Sequence, residues 1–194
     1  MARPRTRMNI QNMTRIALCV AVLCLASYLV VPLPFTPVVL SLHTVVVNLV
    51  GLILPPRQAV CAMAVYLLMG AVGLPVFAGG AAGPGKLFGP TGGFYFGFLL
   101  AVPVISLCRG EPGRFLRYFG VTALLGVPIQ HVCAIVMMCL HNGFQPAAAF
   151  SAVSLPFLPG DIAKCALASA LGVALNRALS AAGALGPPRK ASRP

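Results

Sequence analysis

Acidic residues are nearly missing from this chain: two carboxylate side chains, Glu111 and Asp161, stand against 14 lysines and arginines. Charged residues of either sign make up 8% of the 194 positions, where a soluble domain carries about a quarter. A surface facing water cannot be covered with so few, which excludes an ordinary cytosolic enzyme. Tryptophan is absent as well. The seven cysteines (residues 19, 24, 61, 108, 133, 139 and 165) are odd in number and form no CxxC pair, so neither a disulfide framework nor a zinc site follows. What is present is apolar: 59% of the residues, in long runs parted by short polar or Pro/Gly breaks. That pattern belongs to several membrane-spanning helices in one bundle.

No charge lies between Arg15 and Arg57, yet the stretch is too long for one span and is broken by Pro32, Pro34 and Pro37. Two helices joined by a tight hairpin are expected there. The whole chain reads as an all-α integral membrane protein of six transmembrane helices. Spans are placed near residues 13–31, 38–54, 59–74, 92–107, 118–140 and 161–179, with the third and fourth short for a full crossing. On this reading residues 1–12 are a basic cytoplasmic segment, 13–179 the transmembrane domain and 180–194 a basic cytoplasmic tail.

Orientation follows from the basic residues. Arg3, Arg5, Arg7 and Arg15 precede the first span, Arg57 lies in the second connection, Arg109, Arg114 and Arg117 in the fourth, and Arg177, Arg189, Lys190 and Arg193 at the end. The other connections hold Lys86 alone, and Lys164 opens the sixth span. The positive-inside rule puts both termini in the cytoplasm. Basic residues that flank spans are anchors, not a nucleic-acid face. A cleaved signal peptide is a poor reading of the start, because the apolar run is long and ends in prolines without a small-x-small site.

Gly80 to Lys86 fits the G-x-x-x-x-G-K half of a phosphate-binding loop. Leu87 follows where Ser or Thr must hold magnesium, and Gly89 and Pro90 stop the helix, so no ATP site is expected. The surrounding loop, Pro75 to Thr91, is glycine-rich and flanked by Phe77, Phe88, Phe94 and Tyr95. With so few polar side chains it is expected to fold back into the bundle mouth as a cavity wall. His131, Cys133, Met137, Met138, Cys139 and His141 suggest soft-metal ligands, and a copper or nickel transporter is the alternative reading. On a helix, however, His131 and Cys133 diverge by about 200°. Core packing is preferred for them and for His43.

Asp161 and Lys164 are the charges on the outer side of spans five and six. Intramembrane ionisable residues mark function by default, and the three-residue spacing sets the pair on one helix face. The plainer reading makes Asp161 an N-cap and Lys164 its snorkelling partner. Neither histidine of span five has an acidic partner in sequence, so a general base is lacking and the chain does not read as an enzyme.

Three separated segments carry a family resemblance: Gly73-Leu74-Pro75-Val76-Phe77-Ala78-Gly79-Gly80, Gly89-Pro90-Thr91-Gly92-Gly93-Phe94, and Pro156 through Lys164. Over residues 13 to 179 the chain resembles the biotin-specific substrate-binding component of energy-coupling-factor transporters. The proline hairpin from Pro32 to Thr44 looks like the family's too, with His43 where Gln is common and Val39 where Pro is. The resemblance implies capture of biotin outside and delivery inward without hydrolysis by this chain, hence no cofactor of its own. ATP would be used only by partners, a transmembrane coupling protein carrying two ATPases. Docking would use small residues four apart on the first helix, which Ala17 and Ala21 match; a homo-oligomer is left open, and membrane lipid surrounds the rest.

Biotin offers two ureido N–H donors, a ureido oxygen, an apolar thioether ring and a chain ending in carboxylate. Asp161 could accept the donors and Lys164 neutralise the carboxylate, with Phe77, Ala78, Gly79, Gly80, Tyr95, Phe157 and Thr44 completing the site. In the variant arrangement Lys86 meets the carboxylate near the entrance.

Overall fold

The structure, a computed structural model, describes residues 10–32, 39–111 and 113–181. Pro34 and Pro37 of the expected hairpin, the first three arginines and the basic residues Arg189, Lys190 and Arg193 lie outside the described residues.

Helix forms along the apolar runs, and several of its breaks fall at prolines and glycines, although α5 runs through Pro103. Helix α1 (Ile10–Tyr28) leads into strand β1 (Val30–Pro32), which pairs antiparallel with β2 (Val39–Ser41). This short ladder departs from the all-helical expectation: Pro32 cannot donate into a helix, and the valine-rich flanks suit an extended pair. Helix α2 (His43–Ile53) has 11 residues and so rises only about 16 Å. It starts later than residue 38 because Val39–Ser41 is taken up by β2, and it stops at Ile53 because Leu54, ahead of Pro55, is driven to extended φ/ψ. Pro56 then opens α3 (Pro56–Ala71), in a first turn where its missing N–H leaves nothing unbonded.

After a folded loop come the short turn α4 (Pro84–Leu87) and α5 (Gly93–Cys108). Helix α6 (Phe115–Val121), a π turn over Thr122–Gly126 and α7 (Val127–Asn142) form one continuous rod. The widened turn precedes Pro128, which has no N–H to offer the ladder. Gly143, at φ 67°, stops α7 in a left-handed conformation. Helix α8 (Pro146–Val153) occupies what the sequence presents as a plain connection, and α9 (Leu158–Ala181) closes the bundle.

Helix α5 is central, packed on α2, α3 and α7, while α2 also packs on α9. The α5–α7 approach is close because Gly93 and Gly97 carry no side chain. A Cβ at Gly93 would lie 2.4 Å from the Cys133 carbonyl oxygen, and one at Gly97 would lie 2.7 Å from Gln130 Cα. Small residues four apart are how helices meet in lipid. Leu23, Val47, Met63, Tyr66, Phe77 and Val102 fill the core, whereas Leu18, Leu25, Leu68, Leu107, Leu124 and Leu140 point outward. Three helical rods are long and apolar enough to cross a membrane, Ile10–Tyr28, Phe115–His141 and Leu158–Ala181, with shorter apolar helices at His43–Ile53 and Gly93–Cys108.

Candidate binding site

Asp161 sits in the first turn of α9, and its N–H already bonds the Phe157 carbonyl at 2.9 Å. It is therefore inside the helix, not the N-cap. The helix starts earlier than an acidic cap suggests because Pro159 is at home in a first turn. The carboxylate points inward and is held by two donors: Lys164 Nζ reaches Oδ1 and His131 Nε2 reaches Oδ2, each at 2.9 Å. The other ring nitrogen of His131 lies 3.0 Å from Ser154 Oγ. Exposures of 6% for Asp161, 5% for Lys164 and His131, and 0% for Ser154 show how fully the cluster is closed. Burial at that level requires pairing, since an isolated charge in an apolar interior is far too costly.

An aromatic wall continues from this cluster. His131 meets the edge of Phe94 at 5.6 Å, and Phe94 lies 6.5 Å from both Phe157 and Phe98. Tyr95 joins Phe98 at 5.9 Å and Phe77 at 4.5 Å, while Tyr66 meets Phe77 at 5.9 Å and His43 at 5.1 Å. Thr44 follows His43 in the first turn of α2 and is half-buried.

Three tyrosines fasten the loop after α3 over this wall. Tyr28 donates to the Pro75 carbonyl, Tyr66 donates to the Val76 carbonyl at 2.9 Å, and the Ala78 N–H donates to Tyr95 Oη at 3.1 Å. Gly80, at φ 75°, leaves room for the Tyr28 ring, which a Cβ there would meet at 3.1 Å. The Gly80 N–H bonds the Phe77 carbonyl at 2.9 Å. Among the loop residues expected to line a site, Ala78 and Gly80 thus use their amides to shape the loop itself. The loop does fold back on the bundle, with Val76, Phe77 and Leu87 buried.

Asp161, Lys164, Phe157, Tyr95 and Phe77 are therefore joined in one continuous assembly, with Ala78 bonded to it and Gly79 and Gly80 in the tight turn beside it. Lys86 lies in the short turn α4, which packs on α3. His131 was expected in core packing, and its place in the charged cluster is the principal addition. Ser154, Tyr28 and Tyr66 are further contributors that no motif marks. Ala17 and Ala21 lie exposed on one face of α1, where an apolar groove of about 700 Å³ runs between α1 and α3, lined by Met13, Ile16, Val20 and Val65. Among the described residues, no three His, Cys, Asp or Glu side chains are grouped as metal ligands.

A helical bundle with leucines on its outer face, apolar rods long enough to span and a buried Asp161–Lys164 pair beside an aromatic wall is a membrane protein. The chain belongs to the BioY family, which its residues 2–181 match. It is 35% identical over 176 residues to the biotin transporter BioY2 of Lactococcus lactis subsp. cremoris, covering 89% of this chain and 93% of that protein. It is 37% identical over 158 residues to the probable biotin transporter BioY of Bacillus subtilis, covering 76% and 80%. Its fold is similar to the crystal structure of the S-component for biotin from an ECF-type ABC transporter. That likeness has a TM-score of 0.75 at 20% identity and covers 91% of this chain and 95% of the other.

Proposed function

We propose that the chain is the biotin-binding S component of an ECF-type transporter in the cytoplasmic membrane. The observation that carries the reading is the buried Asp161–Lys164 pair at the end of the aromatic wall. Charge of this kind in a bundle interior calls for a ligand of matching polarity. Biotin matches it, with a carboxylate for Lys164 and an apolar bicyclic body for the rings of Phe77, Tyr95 and Phe157. Lys164 uses one of its three N–H donors on Asp161 and offers the others to the ligand, while Asp161 balances the ammonium when the site is empty. The turn at Ala78, Gly79 and Gly80, with Thr44, borders the mouth.

Helices α1, α2, α3, α5, the α6–α7 rod and α9 make six passes. The Pro75–Thr91 loop faces outward and both termini face the cytoplasm, as the distribution of basic residues requires. The chain draws its energy from a transmembrane coupling protein and two ATPases. These dock on the Ala17/Ala21 face of α1, where small residues admit a second helix closely.

Titration of the purified chain with biotin tests the reading: saturable one-to-one binding is expected, and no binding would refute it. Ala21→Trp should abolish uptake in cells while leaving that titration nearly unchanged, since bulk on a docking face does not reach the site. Uptake that survives the tryptophan would remove this face as the coupling surface.

A further inference from the structure

Nothing in the family relationship or the sequence motifs gives a part to His131 or Ser154, yet the charge pair is built on them. A lysine three residues along a helix from an aspartate reaches it without help. Here the second carboxylate oxygen is held as well, by a donor from another helix, so the carboxylate plane cannot turn. A carboxylate only accepts, so His131 Nε2 carries the proton on that bond. Ser154 then fixes the ring from its other side at 3.0 Å. Ser154 is itself immobilised at the end of α8: its N–H bonds the Phe150 carbonyl, and its own carbonyl accepts from Phe157 and Leu158. Phe94 lies edge-on to His131 at 5.6 Å.

We propose that His131, oriented by Ser154, is the positioning residue for recognition of the ligand's carboxylate. By holding Oδ2 of Asp161 it fixes Oδ1, and through Oδ1 it fixes Lys164 Nζ with its remaining N–H donors facing the site. The chain thereby selects ligands with an anionic end. The proposal rests on the biotin reading above and adds to it the source of specificity. Two features argue against a mere tie between α7 and α9. The two donors are divided one to each oxygen, and the histidine's second nitrogen is also bonded, so that ring, carboxylate and ammonium form one rigid chain in a site where low dielectric strengthens each link.

The test is a set of titrations on the full chain with biotin and with biotin methyl ester, which lacks the anionic end. The proteins are wild type, His131→Leu, His131→Gln, Ser154→Ala, Lys164→Ala and the His131→Leu/Lys164→Ala double variant. His131→Leu should weaken biotin roughly tenfold to a hundredfold, the worth of a hydrogen bond to a charged group, and leave the ester within about threefold. His131→Gln, whose amide N–H can take the place of Nε2–H, should recover most of the loss. Ser154→Ala should show the same pattern more weakly, and it keeps the comparison open if His131→Leu fails to fold. Because His131 acts through Lys164, the double variant should bind biotin within about threefold of Lys164→Ala alone. Equal losses for both ligands, or losses that multiply in the double variant, would overturn the positioning role. Unchanged biotin binding by Lys164→Ala would overturn the site reading itself, whereas a damaged Lys164→Ala beside an unaffected His131→Leu would overturn the positioning role alone.

Discussion

At the end of the bundle near Pro55, polar side chains serve the backbone. Asn176 donates to the Leu52 carbonyl at 3.0 Å and to Tyr118 Oη at 2.9 Å; Arg109 donates to the same carbonyl, and Ser106 reaches the Leu54 carbonyl at 2.6 Å. The last carbonyls of a helix have no partner within it, and Pro55 and Pro56 bring no N–H to help. At the loop end, Asp161, Lys164, His131 and Ser154 bond one another's side chains instead. Apart from the half-buried Arg109, both groups are buried among apolar helices and carry the desolvation cost of polarity in a membrane. The first set repairs a break in secondary structure. The second repairs nothing local, and a lysine with N–H donors to offer is what a ligand site needs.

The sharpest way to break this contrast is Lys164→Ala. Removing one partner of a buried pair should weaken biotin by about 2 to 5 kcal/mol, roughly thirtyfold to several-thousandfold, in a calorimetric titration. Unaltered affinity would make the loop end as structural as the other. A smaller effect is expected at Gly70, where a Cβ would sit 2.1 Å from Phe77 Cζ. Gly70→Ala should displace that ring from Tyr95, lower the melting temperature through about 1 to 3 kcal/mol of overpacking and weaken biotin as well. Asn176→Leu sharpens the contrast from the other side. Leaving Tyr118 Oη without its donor, while the Leu52 carbonyl keeps Arg109 alone, should cost about 1 to 3 kcal/mol of stability, with biotin affinity within about twofold of wild type.

Asp161 and Lys164 are legible in sequence because charge in an apolar run needs a reason, and Phe77 and Tyr95 because aromatics flank a glycine-rich loop. His131 is not legible in that way. Its acceptor lies 30 residues further on, on another helix, and no spacing within α7 singles it out from Cys133 or His141. The spacing that bears on it is in α5, where Gly93 and Gly97 draw α7 in close. Tyr28 and Tyr66 read as ordinary residues of apolar helices, and only the folded chain reveals their hydroxyls on the Pro75 and Val76 carbonyls. Helix α8 has a legible start, Pro146, since proline favours a first turn. The end of α2 follows likewise from Pro55 and Pro56, whereas its late start follows from the strand pair. The strand pair at Pro32 depends on a partner across the hairpin, which local pattern does not supply.

The most direct test of the account is the rise in melting temperature that a fixed excess of biotin produces in Asn176→Leu and in Lys164→Ala. A ligand stabilises by an amount set by its concentration relative to its Kd, whatever the starting stability. Asn176→Leu should start lower than wild type and rise by as much, whereas Lys164→Ala should rise little from wherever it starts. A full rise in Lys164→Ala, or its loss in Asn176→Leu, would contradict the division between a binding end and a structural end.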